Sequence, residues 1–330
     1  MSDARFHEIG ILLYPGAQQA AVLGLTDLLL TANMFAHANT NNVRRIVVSH
    51  WQASETTGAV ERVFCSAETE QGPSVCVLPP ALLGPPETAD PVTTEWLSSR
   101  HRDGMVLASV CTGAFVLGEA GVFVGRPVTT HWTYEDRFRA TFPMARIDTD
   151  RLIVDDGDII TAGGPMSWTD LALTLISRFV GHKVMMQVAR SFLLDPPGRQ
   201  QSYYSGFAPR LDHRDEAILR VQRWFEETDG KQVDVAALAE RAGLEERTFL
   251  RRFQKATGYT TTEYWQRLRV ARAKALLLDT SAAVDRIAWD VGYSDPSAFR
   301  KVFRRILGLS PGEYRQRFSQ APITSPRPNN

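Results

Sequence analysis

Hydrophobic residues between positions 292 and 315 recur at the spacing of an α-helix. The positions i, i+3, i+4 and i+7 form one apolar stripe, made of Phe299, Val302, Phe303 and Ile306. Asp295 can cap this helix and Pro296 suits its first position, so the helix is predicted to begin there. The other faces are mainly cationic and carry Ser297, Arg300, Lys301, Arg304 and Arg305. The pattern predicts an apolar anchor with a basic outer surface.

The preceding segment has the same spacing, with apolar residues at Val284, Ile287, Ala288 and Val291. Ala288 lies four residues before Gly292. A small residue there lets two helices cross closely, and glycine permits the turn between them. The two helices are therefore predicted to form a helix-turn-helix. Taken alone, the pattern is equally consistent with two packed helices that expose a basic face.

A second copy of the pattern lies upstream and favours the helix-turn-helix interpretation. Ala239 and Gly243 match Ala288 and Gly292 at an offset of 49 residues. After one extra residue in the second turn the offset is 50, and it pairs Phe249 with Phe299, Phe253 with Phe303, Gly258 with Gly308, Glu263 with Glu313 and Tyr264 with Tyr314. Two copies in register do not arise readily by chance, so we predict two helix-turn-helix units.

Residues 234–318 strongly resemble the DNA-binding domain of the AraC/XylS family of transcription regulators, and the resemblance covers both copies. It implies base contacts by two residues in each recognition helix, namely Arg247 and Arg251, and Ser297 and Lys301. Arg300 is a further candidate because of its exposed position. A long helix from Thr261 to Leu278 is predicted to join the copies. Its basic residues are expected to be solvated or to face phosphates: Arg267, Arg269, Arg272 and Lys274.

The N-terminal part of the chain alternates short apolar runs with helical ones, which predicts a mainly parallel sheet covered by helices on both faces. Strands are predicted at Ile9–Tyr14, Arg45–Ser49, Val75–Leu78, Met105–Val110 and Asp158–Ala162. A helix that includes residues 22–30 follows the first strand. Ser167 with Asp170 makes a capping-box-like start for a helix through Phe179. Ligands bind such sheets at the carboxyl ends of the strands.

Cys111 lies at one of these strand ends, in the segment SVCTGAF. A helix beginning between Thr112 and Phe115 would aim its N-terminal amides at the sulfur, and these amides and the helix dipole favour thiolate. His131, in the segment TTHW, is a plausible base or hydrogen-bond partner. Oxidants attack low-pKa thiols, so a redox sensor is an alternative role for Cys111.

Residues 7–185 resemble the class I glutamine amidotransferase-like fold, in its PfpI-type branch, through SVCTGAF, TTHW and AGG followed by a serine and an aspartate. The resemblance implies a flavodoxin-like α/β domain whose enzymes use a cysteine with a nearby histidine. In those enzymes a carboxylate after the first strand supports the cysteine, whereas residues 14–19 contain no acid and Asp27 follows too late. Glu135 and Asp136 are the candidates for an acid that orients His131. Without one, the arrangement of nucleophile, base and orienting acid is incomplete.

Three interpretations of this domain remain open: catalysis at Cys111 and His131, an inherited ligand pocket without catalysis, and a purely structural turn. We favour the pocket and expect no enzyme activity. The predicted effector-binding residues are Tyr14, Cys111, His131, Trp132 and Trp168. Aromatic rings can enclose a quaternary ammonium group by cation–π attraction. The resemblance implies an amine or an amino acid as effector, because some regulators of this group respond to such ligands. The alternatives are tryptophans that only pack under loops, and a cysteine-dependent hydrolase or glyoxalase-like enzyme attached to a DNA-binding domain.

The 330 residues are 44% hydrophobic, which suits about two domains that each bury a core. Residues 195–210 contain three prolines and two glycines without a period, which is typical of a linker. We therefore predict a sensor domain at 1–194, a linker at 195–212, a DNA-binding domain at 213–320 and a disordered tail at 321–330. Residues 1–210 carry 16 Lys and Arg against 21 Asp and Glu, and residues 211–330 carry 21 against 16. The basic part is the one expected to contact phosphates.

The N-terminus has no apolar signal core and no run of about 18 apolar residues appears, so we expect a cytoplasmic protein with no membrane partner. Cys65, Cys76 and Cys111 have no metal-ligand spacing, so no disulfide framework, metal or cofactor is predicted. Cys65 and Cys76 lie in strand-like runs and are expected to be small core residues. Together the resemblances predict a ligand-responsive transcription regulator, most often an activator. The expected partners are promoter double-stranded DNA, RNA polymerase, a small-molecule effector and a second copy of the chain.

Overall fold

The computed structural model describes residues 6–39, 45–204, 213–228 and 234–319, together with residues 207, 209 and 211. The chain divides into two compact units between Gln201 and Ser202, here called the N-terminal and C-terminal units. This division falls inside the segment that composition assigned to the linker. Part of that linker and the predicted tail at 321–330 lie outside the described residues. The domain limits given above stay predictions.

The N-terminal unit is built on a seven-stranded sheet. Its strands are β1 (Phe6–Leu13), β2 (Arg45–Ser54), β3 (Ala59–Cys65), β4 (Val75–Leu78), β5 (Val106–Val110), β8 (Ile153–Asp155) and β9 (Ile159–Ala162), while β6 (Pro127–Val128) and β7 (Arg146–Ile147) pair separately. The order is β3-β2-β1-β4-β5-β9-β8, with antiparallel pairing confined to the edge strands β3 and β8. The order of the parallel strands confirms the predicted flavodoxin-like sheet.

Helices cover both faces of this sheet. They are α1 (Gln19–Asn39), α2 (Pro91–Arg102), α3 (Gly113–Glu119), α4 (Glu135–Thr141), α5 (Trp168–Phe179) and α6 (His182–Ser191). One core lies between the sheet and α1, α5 and α6, and the other lies between the sheet and α2, α3 and α4. By length and composition α1 is apolar enough to cross a membrane, a test that core helices of soluble proteins also pass. Leu25, Leu28 and Leu29 of α1 are buried in the first core.

The five predicted strands are all present, with ends shifted by a few residues. β3 was predicted only as a strand-like run around Cys65, without bounds, because Glu61 and Arg62 interrupt its apolar residues. An edge strand is open to solvent and need not be continuously apolar. The same position explains Cys65, which ends β3 half-buried, so its predicted core placement is wrong. Cys76, on the central strand β4, is fully buried as predicted.

The start of α5 differs from its prediction. Ser167 precedes α5, but its hydroxyl donates to the carbonyl oxygen of Gly164 at 2.6 Å and makes no helix cap. The buried carboxylate of Asp170 accepts hydrogen bonds from Arg199, whose Nε lies 3.1 Å away. The predicted capping box is therefore wrong, because an arginine remote in sequence gives Asp170 a stronger, charge-assisted partner.

The described residues of the C-terminal unit are mainly helical. The helices are α7 (Glu216–Glu227), α8 (Val235–Ala242), α9 (Glu246–Thr257), α10 (Thr261–Asp279), α11 (Val284–Asp290), α12 (Pro296–Leu307) and α13 (Pro311–Phe318). The pairs α8–α9 and α11–α12 are the first and the second helix-turn-helix. Asp295 caps α12 through the amides of Ser297 and Ala298, as predicted. Gly243 and Gly292 lie at the two turns with φ of +68° and +86°.

The internal repeat appears as two equivalent aromatic clusters. The rings of Phe249, Phe253 and Tyr264 follow one another at centroid distances of 5.5 and 5.2 Å, and those of Phe299, Phe303 and Tyr314 at 5.5 and 5.8 Å. All six side chains are buried. In α12 the predicted residues Val302 and Ile306 are half-buried, and Leu307 completes the fully buried set.

The basic residues of α10 do not all face solvent. Arg269 is 5% exposed, and its guanidinium lies 3.6 Å from the ring centroid of Trp265 and 5.0 Å from that of Tyr293. Arg267 and Lys274 are half-buried, and Arg272 is exposed. The solvated placement is wrong for Arg269, because two aromatic rings give its cation a partner inside the unit.

Candidate functional site

Cys111 lies on a strained turn directly after β5. Its φ is +53°, a conformation that is uncommon for residues other than glycine. The Cys111 N–H donates to the carbonyl oxygen of Ala162 at 2.7 Å, and the Thr130 hydroxyl donates to the Cys111 carbonyl oxygen at 2.7 Å. Thr130 belongs to residues 129–132, which follow β6 and are called the 129–132 segment below. The turn is thus held between β9 and the 129–132 segment.

The Cys111 thiol is buried, with 4% of the residue exposed. Burial raises the pKa of the thiol to about 11, and the nearby backbone amides of Thr112 and His131 oppose this rise only in part. The thiol is therefore protonated at neutral pH, and the predicted thiolate is wrong. The short helix α3 supplies too little electrostatic stabilisation to offset the desolvation of a buried anion.

His131 is not arranged as a base for this thiol. Its Nδ1 accepts a hydrogen bond from the Thr133 backbone N–H at 3.2 Å and lies 2.7 Å from the Thr133 hydroxyl oxygen. A neutral imidazole whose Nδ1 accepts carries its proton on Nε2, so neither nitrogen is available to take the thiol proton. Burial also lowers the pKa of His131, which favours the neutral ring.

No carboxylate supports the pair in the described part of the chain. In the loop after β1, Gln18 provides a neutral amide whose Oε1 is buried without a hydrogen-bond partner. Glu135 binds Arg139 at 2.7 Å and the hydroxyl of Thr149, and Asp136 is exposed. The surroundings of Cys111 and His131 therefore lack the features of a nucleophile with its base.

Tyr14 joins the Cys111 turn to a cavity. Its hydroxyl donates to the carbonyl oxygen of Pro79, and burial together with the nearby Cys111 raises the pKa of Tyr14. The ring also lines a cavity of about 850 Å³ between the β2–β3 turn and the start of α2. Three carboxylates and no Lys or Arg occur among its described lining residues; the acids are Glu55, Glu61 and Asp90. The other four predicted effector residues do not line this cavity.

The two tryptophans of the predicted effector site have different surroundings. Trp132 lies on the 129–132 segment, and its ring stacks on His131 with centroids 5.4 Å apart. Trp168 begins α5 and packs on α1, where a Cβ on Gly24 would be 2.4 Å from its ring. Its Nε1 is buried without a hydrogen-bond partner. The structure thus brings together Tyr14, Cys111 and His131, while Trp168 is part of the packing between α1 and α5.

The recognition helices α9 and α12 present corresponding residues to solvent. Arg247 and Arg251 of α9 are exposed one turn apart and form no ion pair with a described residue. Ser297 and Lys301 occupy the matching positions of α12 and are also exposed. The opposite face of each helix holds the buried phenylalanines. Each helix is therefore anchored on one side and open to a partner on the other.

Arg300 has a different environment from the other predicted DNA-contacting residues. Its guanidinium pairs with the carboxylate of Asp285 in α11, and the two side chains are 46% and 50% exposed. An exposed pair of this kind contributes only about 0–1 kcal/mol, so DNA could compete for the arginine. Sequence reasoning missed this pair, as it missed Gln18, because neither belongs to a local pattern.

Family models match both units. A DJ-1/PfpI family model matches residues 26–178, which include Cys111 and His131, and a helix-turn-helix domain model matches residues 238–317. The chain is an AraC-type regulator with an N-terminal DJ-1/PfpI domain. Both expectations of family membership are confirmed. The AraC-type domain implies DNA as a partner, in agreement with the exposed faces of α9 and α12.

Two named transcriptional regulators match almost the whole chain. The HTH-type transcriptional regulator CdhR of Pseudomonas aeruginosa is 27% identical over 92% of this chain and 90% of the relative. The HTH-type transcriptional regulator GlxA of Rhizobium meliloti is 26% identical over 96% of this chain and 98% of the relative. The isonitrile hydratase of Pseudomonas putida is 31% identical over 53% of this chain and 72% of the enzyme. The similarity to named regulators is therefore more extensive than the similarity to an enzyme.

Proposed function

We propose that this protein is a sequence-specific regulator of transcription whose binding to promoter DNA is controlled by a small-molecule effector. The observation that carries the proposal is the repeated recognition helix. In each copy two phenylalanines bury one face of the helix, and two polar or cationic side chains are exposed on the opposite face. A cytoplasmic activator that acts as a dimer and recruits RNA polymerase is the form of regulation we favour, on the strength of the family.

DNA recognition is assigned to residues 247 and 251 of α9 and to residues 297, 300 and 301 of α12. Two helix-turn-helix units in one chain suit successive major-groove segments, which lie ~34 Å apart on one face of the duplex. Arg247 and Arg251 suit guanine, whose O6 and N7 accept two hydrogen bonds from a guanidinium. One such contact contributes about 1–3 kcal/mol of discrimination against the wrong base.

The effector is assigned to the C-terminal edge of the sheet, with Tyr14, Cys111, His131, Trp132 and Trp168 as its predicted surroundings. The acidic lining of the Tyr14 cavity and the unpartnered Oε1 of Gln18 both favour a ligand that carries a positive charge and donates hydrogen bonds. An amine or an amino acid has this chemistry. The protonated Cys111 and the capping role of His131 argue against catalysis.

Selection of genomic fragments by the full-length protein tests DNA reading. We expect one defined site, preferred over scrambled DNA by about 10³-fold or more at physiological salt. Arg247→Ala should relax specificity at one base pair, while Arg223→Ala removes an exposed cation of α7 and should leave specificity unchanged. Equal binding to all sequences, lost as salt rises, would contradict the proposal.

Ligand binding is tested by calorimetric titration with choline and with each common amino acid. We expect at least one of these compounds to bind the parent protein and to change its affinity for the selected DNA site. Tyr14→Ala should weaken binding of that compound about ten-fold or more, because it removes a cation–π contact and a part of the cavity wall. Turnover of amide, isonitrile or glyoxal substrates that disappears in Cys111→Ser would instead establish the enzyme alternative.

A further inference from the structure

Gln201 occupies an unusual place for a residue of a predicted linker, because its side chain is buried in the N-terminal unit. The residue is 2% exposed. Its Nε2 donates to the Thr129 hydroxyl oxygen at 3.1 Å, to the Thr130 carbonyl oxygen at 2.9 Å and to the Arg151 carbonyl oxygen at 3.0 Å. Its Oε1 accepts from the Trp132 N–H at 3.3 Å. Three of these four partners belong to the 129–132 segment.

The space that holds this amide exists because residue 163 is a glycine. A Cβ at Gly163 would lie 2.2 Å from Cδ and Nε2 of Gln201, which is closer than any real contact. Gly163 directly follows β9, whose last residue, Ala162, accepts the hydrogen bond from the Cys111 N–H. The amide of Gln201 is thus enclosed between two elements that also hold the Cys111 turn.

The 129–132 segment has contacts on both of its sides. On one side the Thr130 hydroxyl donates to the Cys111 carbonyl oxygen at 2.7 Å. On the other side the Thr130 carbonyl and the Trp132 N–H bind Gln201. A ligand that displaced the backbone of His131 would therefore change the hydrogen bonds of Gln201.

The chain on either side of Gln201 is also fixed. The Gln201 N–H donates to the Asp150 carbonyl oxygen at 3.0 Å, and Arg199 binds the buried Asp170. The next residue, Ser202, belongs to the C-terminal unit, where its carbonyl oxygen accepts from Nζ of Lys274 at 3.4 Å. One peptide bond therefore separates the buried amide from the unit that carries the recognition helices.

We propose that Gln201 is the positioning residue that couples the proposed effector pocket at the Cys111 turn to the DNA-reading unit, through its hydrogen bonds to the 129–132 segment. The inference rests on the proposed function, since it requires that the pocket controls DNA binding. It assigns the regulatory connection to a single amide side chain instead of a flexible linker. Such coupling between sites is commonly worth about 5–150-fold in affinity.

The test perturbs the pocket and measures binding of the full-length chain to its selected DNA site. Cys111→Met lengthens the side chain in the pocket, and Thr130→Val removes the hydroxyl that binds the Cys111 carbonyl with little change of volume. Each is made in four backgrounds: the parent, Gln201→Ala, an insertion of two glycines between Gln201 and Ser202, and the control Gln200→Ala. The insertion keeps every contact of Gln201 within its own unit, so it separates loss of coupling from loss of folding.

We expect each pocket substitution to change DNA affinity by about five-fold or more in the parent and in Gln200→Ala, but by less than about two-fold after Gln201→Ala or the insertion. Equal changes in all four backgrounds would overturn the role of Gln201 and leave effector control intact. No change in the parent itself would contradict control by the pocket, and the coupling with it. Amide exchange of β5 and α3 in each variant shows that the N-terminal unit remains folded.

Discussion

The two helix-turn-helix units have the same arrangement of helices and turns, but an arginine at matching positions is exposed in the first and buried in the second. Arg220 of α7 and Arg269 of α10 are separated by the same 49 residues as Gly243 and Gly292. Arg220 is exposed and donates to the carbonyl oxygen of Ala242 at 3.0 Å. Arg269 is buried beneath Gly292, so close that a Cβ on the glycine would lie 2.6 Å from its guanidinium.

The neighbouring residues explain the difference. Trp265 and Tyr293 stack on Arg269, whereas the residues 49 positions earlier are Glu216 and Leu244. Both copies of a repeat can therefore keep the same glycines and buried phenylalanines, while the neighbouring aromatic rings determine whether the arginine is buried or exposed. In the first copy the space beside the turn glycine, Gly243, is open. In the second copy the guanidinium of Arg269 packs against the matching glycine, Gly292.

The largest expected difference is between Gly292→Ala and Gly243→Ala. Both place a side chain at positive φ, which costs about 1–2 kcal/mol. Gly292→Ala must also displace the guanidinium of Arg269, which is held by two rings, for a total of about 3 kcal/mol. At Gly243 the nearest such atom is 4.0 Å away. Amide exchange of α12 in Gly292→Ala should accelerate more than that of α9 in Gly243→Ala, and equal acceleration would refute the distinction.

Arg269→Ala should have the next largest effect. It removes a buried stem and two cation–π contacts, and we expect a loss of about 2–3 kcal/mol of local stability in α11 and α12. Arg220→Ala, the matched control, removes an exposed hydrogen bond and should cost about 1 kcal/mol or less. The measurement is again amide exchange in the full-length protein, and a larger loss for Arg220→Ala would reverse our interpretation of the copies.

Lys274 gives the second copy a pH dependence that the first should not have. Burial lowers the pKa of Lys274 to about 8, against 10.5 for an unperturbed lysine. Between these values the unfolded chain binds the proton that the folded chain has released, so stability rises with pH. We expect a rise of about 1 kcal/mol between pH 8 and 9.5, after allowance for partial exposure. Residue 225, at the matching position, is a buried phenylalanine.

Exchange rates of α10 and α13, followed from pH 8 to 9.5 and corrected for intrinsic exchange, report this rise. It should disappear in Lys274→Met, which keeps the aliphatic stem. Persistence of the same rise in Lys274→Met would show that another group is responsible.

The smallest effect is expected for Asp285→Asn. The substitution breaks the exposed pair with Arg300 and should change stability by about 0.5 kcal/mol or less. It also frees a cation and removes a negative charge near the recognition helix, so DNA affinity should rise about two- to five-fold at low salt. The first copy has Ala236 and Leu250 at the matching positions, so it has no ion pair there that could compete with DNA. The double variant Asp285→Asn with Arg300→Ala should lose the gain, and a gain that persists would assign it to charge alone.

The features that could be predicted from the sequence are those that depend on the local spacing of apolar residues. The stripe of α12, the matched aromatic clusters and the five core strands all follow from residues near one another in the chain. The protonation state of the Cys111 thiol could not be predicted in the same way, because its pKa depends on burial by remote parts of the chain. Arg269 and Gln201 were missed for a related reason: each is polar by type, and only remote residues make its buried position favourable.

The enclosure of Gln201 opposite Gly163 also sets where this protein can be recombined with its relatives. By composition a chimera would be cut near residue 195, at the first prolines. A cut there would leave Arg199 and Gln201 with the wrong partner and would open a hole beside Gly163. A chimera that exchanges sensor domains should therefore keep residues 1–201 together. A sensor domain from a relative is best joined to the DNA-reading unit at the Gln201–Ser202 bond.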